Sequence, residues 1–362
     1  MSRRQLLLIC ATLVALQSPL SAQVVQGHLR DVDGRALAGA HVVLLDDAGT
    51  SVDATLTDAH GAFTLTCAEL GGHTLRAEPV GYTVAEATVP LGLGTAEVEL
   101  VGGDLGLVLP ESAFTPDRRC RVPEGADAKV SALWTEVRKA LLATRLAEEA
   151  GIRGQERRTW SRQLDPEDLT VLHEDGKPVT GFQPGPPFRS PPPEELAQFG
   201  FIQGGAGEGY SFFAPDTRTL LSSIFTDSHC LGFDPAGPDE GWVGLTFRPR
   251  FEGGMDVAGT LWIDASTLGP QRLEFQYTNL PWPLKTDKVG GLVEFHRLDD
   301  GPWVVQRWWV RSPRVGVRVT RMTQWAEPQQ RFELSAVVED GGEVVRVRFR
   351  DGRVERLAAA GA

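Results

Sequence analysis

Four residues that can carry chemistry stand side by side in this chain: Asp227, Ser228, His229 and Cys230. A Ser–His or Cys–His pair becomes nucleophilic when the imidazole reaches the hydroxyl or thiol and takes its proton. Side chains of adjacent residues usually diverge, and the Gly-x-Ser-x-Gly sequence of a hydrolase nucleophile turn does not occur. The spacing therefore favours a structural corner or a disulfide. A hydrolase that uses Asp227, His229 or Cys230 is the third of three functional interpretations.

The cysteines predict one disulfide. Cys120 lies in a segment that reads as a linker and Cys230 follows a predicted helix, so we expect these two to be bonded. Cys67 alternates with apolar residues along a strand, which is typical of a small buried side chain. No Cys-x-x-Cys or His-x-x-x-His spacing occurs, so we predict no metal site, and we expect no cofactor.

Tryptophan and arginine cluster in one predicted strand near the C-terminus. With the strand period of two, Trp303, Arg307, Trp309 and Arg311 share one face. Such a face could bind a ligand, for example the anionic head group of a lipid. Aromatic core packing and ion pairing between strands are the alternatives.

The first residues predict export. Ser2-Arg3-Arg4 precedes an apolar run, and Leu20-Ser21-Ala22 supplies small residues for cleavage. This layout predicts a signal peptide at 1–22 and a protein in the periplasm or at the cell surface. No later segment approaches the roughly 18 apolar residues of a membrane span, so we expect none in the mature chain.

Composition narrows the class of protein. Of 362 residues, 36 are Lys or Arg and 48 are Asp or Glu, and the net charge of −12 argues against nucleic acid as a partner. The 40 glycines and 24 prolines favour many turns between short strands. The sequence therefore predicts a mainly β fold in two domains.

Residues 24–101 carry three ordered motifs within a regular strand and turn pattern. These are Gly27-x-Leu-x-Asp31 continuing through Gly34 and Gly39, Thr57-Asp58-x-x-Gly61-x-Phe63, and Gly81-Tyr82. The segment resembles the carboxypeptidase regulatory-like domain, a transthyretin-like β-sandwich. The resemblance implies an accessory or binding module and a structural role for Gly27, Gly34, Gly39, Asp58, Gly61, Phe63, Gly81 and Tyr82. A zinc carboxypeptidase also needs His-x-x-Glu, and no histidine here is followed by glutamate at the third position.

The remainder predicts a second, α+β domain at 126–356, joined by a linker at 102–125. Asp127 is expected to cap a long helix that ends near Ala150, with an apolar stripe for packing. Successive hairpins after Gly241 predict a curved antiparallel sheet. Residues 259–275 are similar to exported lipoprotein-carrier-like half-barrels, which wrap an apolar ligand around a helix.

Taken together, these patterns predict an exported, non-catalytic protein of the cell envelope with a binding or accessory role. The second interpretation is a carrier of a lipid or other apolar envelope ligand in the second domain. An envelope protein, a glycan or a lipid would be the partner.

Overall fold

A computed structural model describes residues 23–358, apart from positions 70, 93, 118–119, 206–208, 252, 300 and 321–328. The predicted signal peptide at 1–22 lies outside the described residues. The described chain is mainly β, as the sequence predicts.

The N-terminal part is a sandwich of two sheets. Its strands are β1 (Gln23–Asp31), β2 (His41–Leu45), β3 (Ser51–Leu56), β4 (Ala62–Cys67), β5 (Gly71–Glu78), β6 (Ala85–Leu91) and β7 (Thr95–Gly102). One sheet has the order β4-β1-β7 and the other β3-β2-β5-β6. Alternate residues point inward, for example Phe63, Leu65 and Cys67 of β4, which are at most 4% exposed. The predicted sandwich is confirmed.

The rest of the chain is dominated by one antiparallel sheet. The strands are β8 (Ile152–Leu164), β9 (Val171–Gln183), β10 (Ile202–Gly205), β11 (Gly209–Phe212), β12 (His229–Asp234), β13 (Trp242–Pro249), β14 (Asp256–Asp264), β15 (Pro270–Thr278), β16 (Gly290–Arg297), β17 (Trp303–Thr320), β18 (Gln329–Phe349) and β19 (Val354–Arg356). Within the described residues the sheet runs β12-β13-β14-β15-β16-β17-β18-β8-β9, with β19 on β18, while β10 and β11 form a separate hairpin.

A long helix packs on one face of this sheet. The helices are α1 (Ala126–Leu146), α2 (Pro193–Phe199), α3 (Thr217–Leu221) and α4 (Ser223–Ser228). Leu133, Val137 and Leu141 of α1 are fully buried in the same core as Leu261 and Leu273 of the sheet. The predicted sheet with its packing helix is therefore confirmed.

Both ends of the long helix differ from the prediction. Gly125, with a φ of 78°, occupies the N-cap position, and Asp127 lies in the first turn without capping the helix. At the other end, α1 stops at Leu146 and a π-helical turn, Ala147–Gly151, follows. A π turn contains an extra residue, so it rotates the side chains that follow relative to an α-helix.

The sandwich and the long helix are joined by a buried ion pair. Lys139 Nζ lies 2.7 Å from Glu136 Oε1, and the two side chains are 10% and 4% exposed. Glu136 Oε2 accepts the Gly81 N–H at 2.9 Å, and Lys139 donates to the carbonyls of Pro79 and Tyr82 at 3.3 Å. The Gly81-Tyr82 motif therefore contacts α1.

The segment before α1 is tied to the edge of the large sheet. Phe114 exchanges backbone hydrogen bonds of 2.9 and 3.1 Å with Phe233 of β12. Cys120 forms a disulfide with Cys230, also on β12, across a separation of 110 residues. Cys67 is a free, buried thiol.

Candidate functional site

A β-bulge decides which side chains of β17 share a face. Arg307 pairs with Glu294 of β16, whereas Val305 pairs with Phe295, so Gln306 is the extra residue. An extra residue reverses the alternation, so Trp303 lies on the face opposite to Arg307, Trp309 and Arg311. The prediction of one common face for these four residues is therefore wrong.

Trp303 belongs to the core. Its side chain is 4% exposed and clusters with the buried residues of the large sheet. A Cβ on Gly269 would lie 2.2 Å from the Trp303 ring, so the glycine leaves the space that the indole fills. Arg297 covers the indole, with its guanidinium carbon 5.0 Å from the ring centre.

Three residues, Arg307, Trp309 and Arg311, lie on the face of the sheet that is turned away from α1. We call it the outer face. A groove of about 690 Å³ crosses β14 to β17 there. Its lining includes Thr260, Glu274, Gln276, Leu292, Trp309 and Arg311. Leu169 and Lys288, from two loops, complete it. The lining also contains Phe247, Phe275 and Val289, so the groove combines aromatic and aliphatic surface with charges of both signs.

Arg311 is held in place by the protein. Its Nη2 lies 2.8 Å from Glu339 Oε2, and its guanidinium carbon lies 4.1 Å from the centre of the Trp309 ring. Glu339 is 3% exposed and also receives hydrogen bonds from Trp160 Nε1 at 3.1 Å and Arg162 Nη1 at 3.2 Å. Arg311 is thus one member of a network of ion pairs across three strands, the alternative that the sequence left open.

Arg307 lies beside the groove. Its Nη1 is 4.0 Å from Glu294 Oε2, and its guanidinium carbon is 6.0 Å from the Trp160 ring. Both arginines therefore have carboxylate and indole neighbours. Trp309 and Lys288 are the groove residues best placed to meet a ligand, because Lys288 has only Asp287 nearby, at 3.9 Å, among its described ion pairs.

The residues with reactive side chains at 227–230 lie in the corner between α4 and β12. Cys230 is in the disulfide and has no free thiol. Asp227 is exposed, and the carboxylate beside His229 is instead that of Asp256, at 3.4 Å from Nε2. The contacts of Asp227, His229 and Cys230 therefore lend no support to the third interpretation, a hydrolase that uses these residues.

Ser228, His229 and Asp256 do form a chain of contacts beside a cavity of about 420 Å³. His229 Nδ1 lies 3.0 Å from Ser228 Oγ and also 3.0 Å from the Phe225 carbonyl oxygen. His229 Nε2 in turn lies 3.2 Å from the Val257 carbonyl oxygen, so each ring nitrogen has within hydrogen-bond distance a carbonyl oxygen, which only accepts. Ser228 itself donates to the Phe225 carbonyl at 3.1 Å. These contacts connect the end of α4 to the sheet.

The motif residues of the N-terminal part lie in turns and at close contacts. Gly34, Gly39, Gly61 and Gly81 have positive φ, and Asp58 Oδ1 accepts the N–H groups of His60 and Ala62 at 2.8 Å. A Cβ on Gly27 would lie 2.6 Å from the ring of Phe63. One on Gly39 would lie 2.6 Å from the backbone of Gly301, which belongs to the turn before β17.

Sequence reasoning missed Glu339, which holds Arg311 in place, and Trp160, which donates a hydrogen bond to Glu339. Their partners come from β8, β17 and β18, and the hydrogen bond between the two spans 179 positions in the chain. Glu339 is one of several charged residues in β18, so the sequence alone does not mark it as the centre of such a network.

The buried residues form two separate clusters, and the match to a known family coincides with the N-terminal one. Residues 24–101 match the carboxypeptidase regulatory-like domain. The predicted resemblance is confirmed for that segment. No curated protein matches the chain.

Solved structures give only distant similarities. The 5-hydroxyisourate hydrolase of Klebsiella pneumoniae is 19% identical over 23% of this chain and 92% of its own, with a TM-score of 0.21. The TIE protein of Bacillus anthracis is 8% identical over 91% of this chain and 45% of its own, with a TM-score of 0.19. BcpA, the major pilin subunit of Bacillus cereus, is 12% identical over 88% of this chain and 95% of its own, with a TM-score of 0.20. We base no functional conclusion on these similarities.

Two further properties concern the described residues. None of their helices has both the length and the apolar character to cross a bilayer. They also contain no group of three or more His, Cys, Asp or Glu side chains arranged to hold a metal ion.

Proposed function

We propose that this chain is an exported, non-catalytic protein of the cell envelope, and that it binds an envelope glycan in the outer groove. The groove itself carries the proposal. An indole can stack on the C–H face of a sugar, while Lys288 and Glu274 offer a donor and an acceptor for hydroxyl groups. The regulatory-like segment supplies an accessory module in this interpretation.

Export is supported by two features. The disulfide between Cys120 and Cys230 requires an oxidising compartment in most organisms. The first residues have the layout of a signal peptide. The domain boundaries that we propose are 24–101, 102–125 and 126–356.

The lipid carrier is the second candidate. Such a carrier needs an apolar cavity beneath the sheet, where its ligand meets the helix. In the described residues that space is occupied by fully buried side chains, among them Leu133, Leu245 and Ile263. The outer groove has mixed polarity, which suits a sugar better than an acyl chain.

Calorimetric titration with an N-acetylglucosamine oligosaccharide tests the glycan proposal. We expect the protein to bind it and Trp309→Ala to weaken binding by about fivefold or more, because stacking on an aromatic ring contributes on the order of 1 kcal/mol or more. Trp282→Ala is the matched control, since this tryptophan is 67% exposed and is not among the groove residues. Equal affinity of Trp309→Ala and the unsubstituted protein would contradict the proposal.

Native mass spectrometry of the purified protein distinguishes the candidates directly. A co-purified species with the mass of an oligosaccharide would support the glycan proposal. A species with the mass of a lipid would favour the carrier.

A further inference from the structure

The π turn at the end of α1 places a carboxyl group in the protein interior. Glu148, the second residue of the turn, is 4% exposed. Its Oε1 atom is buried and has no hydrogen-bond partner among the described residues. Buried polar atoms nearly always have a partner, so an unpartnered one calls for an explanation.

Glu148 lines a cavity that is otherwise rich in arginine. The cavity has a volume of about 630 Å³ and lies between the π turn, the start of β8 and the loop at 184–189. Arg153, Arg189 and Arg350 line it, and the acidic residues in its lining are Glu148 and Glu149.

The loop wall of the cavity is fixed by a further arginine. Arg157 donates to the carbonyl of Gly185 and, at 3.3 Å, to Gln155 Oε1. Arg157 thus holds the loop at 184–189 beside β8. Arg350 Nη2 reaches the Glu149 carbonyl at 3.5 Å, which leaves most of its donors for another acceptor.

The net charge of the cavity lining also depends on the protonation state of Glu148. Burial raises the pKa of Glu148 to about 8, with further increases from Asp216 and Glu149, against the lowering effects of Arg157 and Arg189. At neutral pH the carboxyl group is therefore mostly neutral and can donate a hydrogen bond. With Glu148 neutral, Glu149 is the remaining carboxylate of the lining, against the three arginines Arg153, Arg189 and Arg350.

We infer that this cavity binds a small oxyanion, a carboxylate or phosphate group, through Arg153, Arg189 and Arg350, with the Glu148 carboxyl group as a hydrogen-bond donor. The guanidinium fork matches both kinds of anion. Ionised Glu148 would repel the ligand, so binding weakens as pH rises above the pKa of this residue. The inference is independent of the glycan groove, which is lined by different residues.

Calorimetric titration of the full chain with sodium sulfate tests the site. Sulfate is a phosphate analogue whose charge is constant in the relevant pH range. We expect binding at about pH 6.5, with affinity at least about tenfold lower at about pH 9.5, where Glu148 is ionised. Sodium succinate, titrated in parallel, distinguishes a phosphate-type site from a carboxylate-type site.

Three variants make the outcome decisive. Arg189→Gln should weaken binding by about tenfold or more at the lower pH, because one charge-assisted contact is lost. Glu148→Gln keeps a neutral donor and should bind at both pH values without the pH dependence. Arg314→Gln removes one positive charge from an exposed position on β17 and should bind like the unsubstituted protein.

Two results would overturn the inference. One is the absence of binding of both anions to the unsubstituted protein at the lower pH. The other is an equal loss of affinity in Arg189→Gln and Arg314→Gln, which would indicate attraction by overall charge alone.

Discussion

The ammonium group of Lys139 and the carboxylate of Glu136 lie 2.7 Å apart on one side of α1, and together they bind the backbone of the loop at 79–82. A pair of charges on the helix thus holds a turn of the N-terminal sandwich. Each charge depends on the other, because a lone charge in this position would be buried without a counter-ion.

Substitution of one member of this pair should destabilise the protein strongly. Lys139→Met leaves Glu136 charged and buried, and removal of one partner from a buried pair costs about 3–5 kcal/mol. Urea unfolding measures the change in the free energy of unfolding. Lys129→Met, at a half-buried position on the same helix, is the control and should cost much less. Similar costs in the two variants would show that the pair does not stabilise the fold.

The free energy of unfolding should fall as the pH rises, because the buried Glu148 ionises. Its pKa is raised from 4.5 to about 8 in the folded protein. Between these values the unfolded chain has released a proton that the folded chain retains, so each pH unit lowers the free energy of unfolding by up to about 1.4 kcal/mol. Glu148→Gln should remove this pH dependence. It should therefore be more stable than the unsubstituted protein near pH 8, the pKa of Glu148 in the folded protein.

Urea unfolding at about pH 5.5 and about pH 8 checks this prediction. The control is Glu194→Gln, at an exposed position on α2, which should leave the pH dependence unchanged. If Glu148→Gln and the unsubstituted protein lose stability in parallel, burial of this carboxyl group does not govern the effect.

Reduction of the disulfide should lower stability by about 2–5 kcal/mol, because the bond between Cys120 and Cys230 closes a long loop in the unfolded chain. Thermal unfolding with and without a reductant measures the difference. Cys67 is buried, so its thiol should react with a thiol reagent only after unfolding. A melting temperature that is insensitive to the reductant would refute the prediction.

Glycines beneath the tryptophans should resist substitution. A Cβ on Gly342 would lie 2.6 Å from the ring of Trp308, which is 7% exposed and cannot move aside freely. Gly342→Ala should therefore cost about 1–3 kcal/mol, as overpacking of a core does. Gly253→Ala meets no atom within 4 Å and serves as the control. Circular dichroism during thermal unfolding compares the two variants.

Local patterns predicted much of the architecture. The hairpins of the large sheet follow from period-two alternation and from turn residues such as Asp264, whose Oδ1 accepts from the N–H groups of Ser266 and Thr267. The sandwich follows from motif residues that lie close together in the chain. Both kinds of signal depend on a few neighbouring residues.

Features that depend on distant partners could not be predicted in this way. One extra residue in β17, Gln306, reverses the orientation of Trp303 relative to Trp309, and nothing in the local sequence marks it. Glu148 did have a signal, because it continues the spacing of three and four residues from Leu141 through Thr144 on the buried side of α1. A carboxylate at the end of an apolar stripe indicates a buried titratable group.

The backbone pairing of Phe114 with β12 has a consequence for the behaviour of the protein at high concentration. In the described sheet β12 is a terminal strand, and a terminal strand with free N–H and C=O groups invites pairing with another molecule. The residues around Phe114 cover part of that border, and the disulfide keeps them there. The disulfide between Cys120 and Cys230 therefore also protects this edge of the sheet from pairing with a strand of another molecule. Its loss would favour self-association before global unfolding.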